Sequence, residues 1–290
     1  INNGYLRRIQ DCNVPFQTSS CVPFYIDEEV FGFVLPSFCE HLAEFGDVFD
    51  VIPNERVALS TRLRTIEERT EAVMNVTKQL ASVGVIKGWR NELFEVKQSF
   101  QADPVLLVER ASAGKFGIKS WGIHVNGYVE NDEGKKLMWL GKRSQTKPTY
   151  PGMLDQIVAG GLPAGISAME NVLKECEEEA SIPQALAQTA CPVSCISYCL
   201  VKPEEVVRDT ILCYDLKLPS DFTPSANDGE VESFSLHTVE EVADIVSTTT
   251  KFKPNCNLVV IDFLLRHGVI TPDSCKDYEK LVSKLRNLDY

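Results

Sequence analysis

The sequence predicts an α/β protein, a mixed sheet flanked by helices, preceded by a smaller α+β unit. Three observations support this. Strand-type runs of β-branched and aromatic residues alternate with segments whose apolar residues recur at helical spacing, the pattern of strands covered by helices. The 290 residues can bury one large core or two modest ones. A hydrophobic content of 44% and a charged content of 24% are ordinary for a folded chain.

The first unit is expected over residues 1–110 and the second over 111–290. A short helix is expected over 36–45 and a longer one over 65–83, the latter with Ile66, Val73, Val76, Leu80 and Val83 as its apolar stripe. Strands are expected at 48–52, 93–96 and 105–108. Residues 110–119 carry Ala, Ser and two glycines and read as a linker or a first turn. In the second unit, 122–129 and 136–143 form a hairpin around NDEG at 131–134, and 194–201 with 210–216 form a second strand pair. Residues 239–246 and 258–267 read as helices. There is no internal repeat and no low-complexity stretch.

One helix stands out for chemistry. Ser167 followed by Glu170 is a capping box, so a helix should begin near Ala168, with Met169, Val172, Leu173, Cys176 and Ala180 as its apolar stripe. Glu175, Glu178 and Glu179 stand at i, i+3 and i+4 and share a face in the last turns. Like charges at that spacing cost about 0.2–0.5 kcal/mol per pair, and acids near a helix C-terminus oppose the macrodipole. Such a run is either a solvated face or a cation site. The loop before it, with Gly160, Gly161 and Gly165, allows close backbone approaches and favours the second. Three convergent carboxylates beside such a loop suit a hard divalent ion such as Mg²⁺, which keeps substrate phosphates in its shell. Glu170 is a cap one turn before Lys174, and Glu177 points to the other flank; neither belongs to the cluster.

These residues resemble the Nudix box: Gly, five residues, Glu, seven residues, then Arg-Glu-apolar-x-Glu-Glu-x-Gly-apolar. Counted from Gly160, the positions hold Ile166, Lys174, Glu175, Cys176, Glu178, Glu179, Ser181 and Ile182. The three metal-binding glutamates of the pattern are present. Ile replaces Glu, Lys replaces Arg and Ser replaces Gly; Lys174 keeps the charge but loses the bidentate fork. The departures fit one branch, the Nudix group related to fungal thiamine pyrophosphokinase. That resemblance extends over WGIHVNGY at 121–128, WLGKRS at 139–144, KPTYPGMLD at 147–155, VAGG at 158–161 and AGIS at 164–167. It continues through NDGEVESF at 227–234 and FKPN at 252–255, and RTIEER at 64–69 with GWRNE at 88–92 resembles the group's N-terminal extension.

The resemblance implies an α/β/α sandwich and a metal-dependent diphosphatase. Glu175, Glu178 and Glu179, with the backbone of Gly160, would hold Mg²⁺ or Mn²⁺, Glu175 acting as a ligand or as the group that orients water. The family often recruits a further acid from a downstream loop; Glu230 and Glu232 are candidates, Glu230 preferred, against the alternative of solvated loop acids. Arg143 and Lys147 would meet the outer phosphate, Arg143 bidentately, or else Arg143 is an exposed strand-end charge. His124 and Asn126 read as structural. The implied substrate is thiamine diphosphate or its damaged oxo and oxy forms. ADP-ribose or a nucleotide sugar is the alternative substrate, and a silent ligand-binding module the alternative class. Trp121, Tyr150 and Phe234 are suited to stack on a heteroaromatic ring in either enzyme. By family analogy, the N-terminal unit covers the pocket or forms a homodimer contact.

A net charge of −12 argues against a general nucleic-acid surface. No apolar run approaches the ~20 residues that span a bilayer, and no secretory signal is visible. Among ten cysteines there is no CxxC pair, and the four histidines are scattered, which argues against structural zinc. Cys191, Cys195 and Cys199 are expected on one face of a strand. The thiols read as reduced core residues in a cytoplasmic setting.

Overall fold

The computed structural model describes residues 3–13 and 20–286, which gather around three apolar cores. The first helix, α1 (Asn3–Cys12), packs mainly on the helices at the C-terminal end of the chain. Tyr5 Oη donates to the Ala243 carbonyl at 3.2 Å and Arg8 Nε to that of Val246 at 3.3 Å. Gly4 permits the approach, since a Cβ there would lie 1.9 Å from the Ser247 carbonyl oxygen.

Next come β1 (Val22–Ile26), β2 (Glu29–Val34), α2 (Pro36–Leu42), β3 (Phe49–Ile52) and β4 (Arg56–Leu59), whose strands form one sheet in the order β2-β1-β4-β3. The long helix α3 (Ile66–Ser82) starts with a full Thr65/Glu68 capping box and buries Val73, Val76 and Leu80. Val83, expected in that stripe, falls past the helix end and is 72% exposed. A hairpin of β5 (Leu93–Val96) and β6 (Leu106–Glu109) follows, packed on α3. Residues 110–116 form a short 3-10 turn and α4 (Ala113–Phe116). Phe116 packs its ring 5.2 Å from Phe24 and 5.9 Å from Phe49, so this stretch is part of the N-terminal core.

The second sheet is built on β7 (Lys119–Glu130) and β8 (Lys136–Arg143), the expected hairpin, joined by β9 (Leu154–Asp155) and β10 (Val158–Gly161). Then come α5 (Ala168–Ala180), α6 (Gln184–Ala187), β11 (Cys191–Lys202), β12 (Glu205–Lys217) and β13 (Val231–Thr238). The chain closes with α7 (Val239–Thr248), α8 (Pro254–Arg266) and α9 (Tyr278–Lys284). The strand order β11-β12-β7-β8-β13, with β10 on β7 and β9 on β8, makes a seven-stranded sheet; it is mixed because β12 runs parallel to β7.

Alternation along β7 decides which helix meets which face. Ile123, Val125 and Val129 face α5 with Val172 and Cys176. Tyr128 faces α8, against Phe263. With α1, α7 and α8 on that second side, the unit is the expected α/β/α sandwich. Beneath α8, Asp215 takes Arg266 bidentately at 2.7 and 2.9 Å, His267 at 2.8 Å and Asn126 at 3.1 Å, which gives Asn126 a structural place. Eight cysteines are buried, Cys195 is half-buried and Cys191 is exposed. Among the described residues no helix is long and apolar enough to cross a membrane.

Candidate active site

Helix α5 begins at Ala168, where its capping box places it. Ser167 Oγ accepts from the Glu170 N–H at 3.2 Å, and Glu170 returns the bond to the Ser167 N–H at 2.7 Å. Glu170 is therefore engaged at the cap, and Lys174 turns instead to Glu175 at 3.2 Å and Glu178 at 3.1 Å. At the far end Ser181 adopts φ 52°, a left-handed conformation that glycine takes without strain. Its hydroxyl donates to the Ser225 carbonyl at 3.0 Å.

The three glutamates sit at different depths. Glu179 is 8% exposed, while the side chains of Glu175 and Glu178 are 13% and 50% exposed. Strand β10 runs beside them. The Ala159 N–H donates to Glu179 Oε2 at 2.9 Å, and a Cβ on Gly160 would lie 2.5 Å from the Glu175 carboxyl carbon. Gly160 thus makes the space that Glu175 occupies. Its own carbonyl oxygen faces Gly122 of β7.

Two further acids arrive from the loop before β13. Asp228 and Glu230 bring carboxylate oxygens within 4.8 Å of Glu179 and of each other. The Glu230 N–H donates to Asp228 Oδ1 at 2.8 Å, which fixes the turn, and Lys147 Nζ pairs with Glu230. Glu232 points elsewhere, to Lys142 at 2.7 Å. Asp228 was not foreseen as a site residue, because its Asn-Asp-Gly setting reads simply as a turn.

Burial pushes the Glu179 pKa well above the usual carboxylate range, against the Ala159 N–H, and the charges of Asp155, Glu175 and Glu230 add to the rise. Glu175 is also raised by burial, with Lys174 opposing and Glu178 and Glu230 reinforcing. Burial works against ionisation of Glu230 too, but the bond and charge of Lys147, with Arg110 and Arg143 behind it, bring its pKa down. Carboxylates that raise one another's pKa in a half-buried place are an oxygen-rich site for a hard divalent cation. The donor set fits Mg²⁺ or Mn²⁺.

Arg143 is placed differently from the expectation. Its guanidinium donates to Asp155 at 2.8 Å and to the carbonyls of Tyr150 and Thr149 at 3.0 and 2.9 Å. Those three bonds hold the loop 144–153 and occupy three of the five N–H groups of the fork expected to meet phosphate. Asp155 also takes Lys253, 3.6 Å away, and the Cys256 thiol, with sulfur 2.8 Å from Oδ1. His124, Asp155 and Cys256 lie close enough for a metal, but two cations already balance Asp155. His124 Nδ1 is bonded to Gln156 at 2.7 Å, and burial, with Lys253 nearby, pushes its pKa down to about 4. This is a packed polar network, and His124 is structural within it.

The acids open into a cavity of about 810 Å³. Glu175, Glu179, Glu230 and Lys147 line it, together with Trp121, Tyr150 and, from the N-terminal unit, Arg90, Phe94 and Arg110.

Residues 120–256 match the family described as NUDIX domain, and residues 4–120 match one described as Domain of unknown function (DUF4743). Nudix hydrolase 20, chloroplastic, of Arabidopsis thaliana is 48% identical over 295 residues, covering 99% of this chain and 78% of that protein. The chain belongs to the Nudix hydrolase family. Nudix hydrolase 24, chloroplastic, of the same plant is likewise 48% identical, covering 99% of this chain and 78% of its own length. A protein of Saccharomyces cerevisiae is 41% identical over 257 residues, 83% of this chain and 74% of that one. A solved structure from Deinococcus radiodurans overlays at a TM-score of 0.42 and 22% identity, covering 58% of this chain and 97% of that chain.

This Nudix hydrolase therefore acts on phosphoanhydride bonds, and the family generally uses divalent metals such as Mg²⁺ or Mn²⁺. One expectation is overturned. Both Arabidopsis relatives are named chloroplastic, which points away from a plainly cytoplasmic location. Abundant buried thiols do not identify a compartment, since burial protects a thiol wherever the chain resides.

The contact between Gly160 and Glu175 gives a direct test of the site. In Gly160→Ala the added methyl must displace the Glu175 carboxyl, from which it would be 2.5 Å away. Divalent-ion affinity, measured by titration calorimetry, is expected to weaken by about tenfold or more, with the far-ultraviolet circular dichroism unchanged.

Proposed function

We propose that this Nudix hydrolase is a metal-dependent diphosphatase for thiamine diphosphate or its oxo and oxy analogues, releasing the monophosphate and phosphate. The observation that carries the reading is the convergence of Glu175, Glu179, Asp228 and Glu230 on one wall of a cavity that also holds Lys147. Glu179, Asp228 and Glu230 would hold the ion, with Glu178 paired to Lys174 further out on the same helix. When bound, the ion neutralises the diphosphate so that water can approach phosphorus.

Glu175 has the properties of the group that orients that water. It is tucked against Gly160, and burial raises its pKa and so its affinity for a proton. Lys147, paired with Glu230 in the cavity lining, would meet a phosphate oxygen there. Trp121 and Tyr150 line the same cavity and suit a heteroaromatic ring. The thiamine assignment is supported by the resemblance of residues 121–167 and 227–255 to the thiamine pyrophosphokinase-related group. The division into two units, expected at 1–110 and 111–290, belongs to the same proposal, with 113–118 going to the first because Ala113, Phe116 and Ile118 pack in its core.

The test is phosphate release over a panel of diphosphates with Mg²⁺, repeated after chelation. Thiamine-type diphosphates should turn over fastest, only with metal, and yield monophosphate. Preferential AMP formation from ADP-ribose would replace this substrate assignment. Ligand binding without turnover of any compound would replace the enzyme reading with a silent module.

A further inference from the structure

The N-terminal unit touches the glycine loop that leads into the acidic helix. Strand β5 lies against it: the Ala164 N–H donates to the Leu93 carbonyl at 2.8 Å and the Gly165 N–H to Glu95 Oε1 at 3.2 Å. Glu95 is in turn held by Lys97 at 2.8 Å. The Phe94 ring is seated on Gly161, where a Cβ would lie 2.9 Å from its tip. That same Cβ would lie 3.3 Å from the guanidinium carbon of Arg110, which stands 5.5 Å from the Phe94 ring centre. Arg110 is thus placed beside Gly161, one residue from the glycine that makes room for Glu175.

Among the described residues the Arg110 side chain has one hydrogen bond, Nη1 to Glu92 at 2.7 Å. A guanidinium carries five N–H donors in a planar fork. The side chain is 44% exposed and lines the cavity, and its charge reaches Glu230, which lines it too. Phe94 packs against the guanidinium and Glu92 holds one of its arms. Arg143, which also lines the cavity, already gives three of its N–H groups to Asp155 and the carbonyls of Tyr150 and Thr149. A cavity lined both by clustered acids and by a braced, half-open guanidinium has complementary places for a cation and for the anion it accompanies.

We propose that the N-terminal unit is a working part of the hydrolytic site, with Arg110 as its ligand for a phosphate oxygen of the diphosphate substrate. The inference rests on the diphosphatase reading for the identity of the anion. Arg110 binds and orients; it moves no proton. The domain of unknown function thereby acquires a role, which is to brace the glycine loop and supply the arginine.

The test uses the full chain, Arg110→Ala and Arg110→Lys, titrated calorimetrically with methylenediphosphonate in Mg²⁺, alongside steady-state kinetics. Affinity should fall about tenfold or more in the alanine variant. In the lysine variant it should recover in part, because the charge returns without the fork. The kinetic loss should appear mainly in KM, with the melting temperature nearly unchanged. Equal diphosphonate affinity in wild type and Arg110→Ala overturns the inference, as does a wild type that does not bind the diphosphonate. Arg110-dependent binding without turnover of any diphosphate would sustain this inference and defeat the diphosphatase reading. Turnover with KM and affinity indifferent to Arg110 would do the reverse.

Discussion

Glu179→Gln is expected to abolish metal-dependent turnover, with kcat lower by about a thousandfold or more, the scale seen when a group that directly stabilises transition-state charge is removed. The substitution keeps shape and keeps an oxygen to accept the Ala159 N–H, so packing against β10 is retained. It removes a charge that Asp155, Glu175 and Glu230 all disfavour. The metal-free variant should therefore be as stable as wild type or more so.

The pH dependence has a definite sign. Glu179 has a folded-state pKa raised above its unfolded value, so its contribution to stability is full below the unfolded pKa and is lost as pH rises through the folded one. Metal-free wild type should lose stability over that rise, and the glutamine variant should not. Added Mg²⁺ should raise the wild-type melting temperature by mass action and leave that of the variant nearly unmoved. Thermal melts with and without Mg²⁺ across pH 4–8 check both statements. Equal metal stabilisation of the two proteins would remove Glu179 from the ion site.

The largest loss of stability is expected from Asp155→Ala. Asp155 is 7% exposed and faces Arg143 at 2.8 Å and Lys253 at 3.6 Å, while the Gln156 N–H donates to it at 2.9 Å and the Cys256 thiol also donates. Removing it leaves two cations facing each other in a desolvated place. Breaking a buried pair from one side costs about 3–5 kcal/mol, a large share of the 5–15 kcal/mol typical of a domain. A fall in melting temperature on the order of 10 °C follows from the usual size scaling.

Burial alone would raise the Asp155 pKa, but Lys253, His124, Cys256 and Arg143 together hold it well below the usual range. Asp215 follows the same pattern: burial is outweighed by His267 and Arg266, and its pKa falls to about 2. Both groups are depressed, so their stabilisation is present above the ordinary carboxylate pKa and is lost as pH falls through the folded-state value. Urea titrations of the two proteins at pH 7 and pH 3 should show the Asp155→Ala deficit shrinking at the lower pH. A deficit of the same size at both would show that packing, and not charge, sets the effect.

How much of this was legible from residue order depends on the range of the interaction. Helices α3 and α5 were readable because a capping box and an apolar stripe are written within a few turns, and both boxes are intact. Strand β8 was readable from its bounded run of 136–143. Strands β1, β2 and β4 were not, since short strands without clear alternation acquire identity only from a partner. Val83 continued a helical period that the chain itself stops at Ser82.

Residue order alone set the acidic helix, its cap and its glycine loop, because these depend on spacings of a few residues. Tertiary structure decided which charges face one another. It separated Glu230 from Glu232, added Asp228, turned Arg143 toward Asp155, brought α1 onto the C-terminal helices and set Arg110 beside Gly161. Each of these pairs residues far apart in the chain. A side chain's local sequence limits its reach but does not choose its partner; burial, geometry and the competition among nearby charges do.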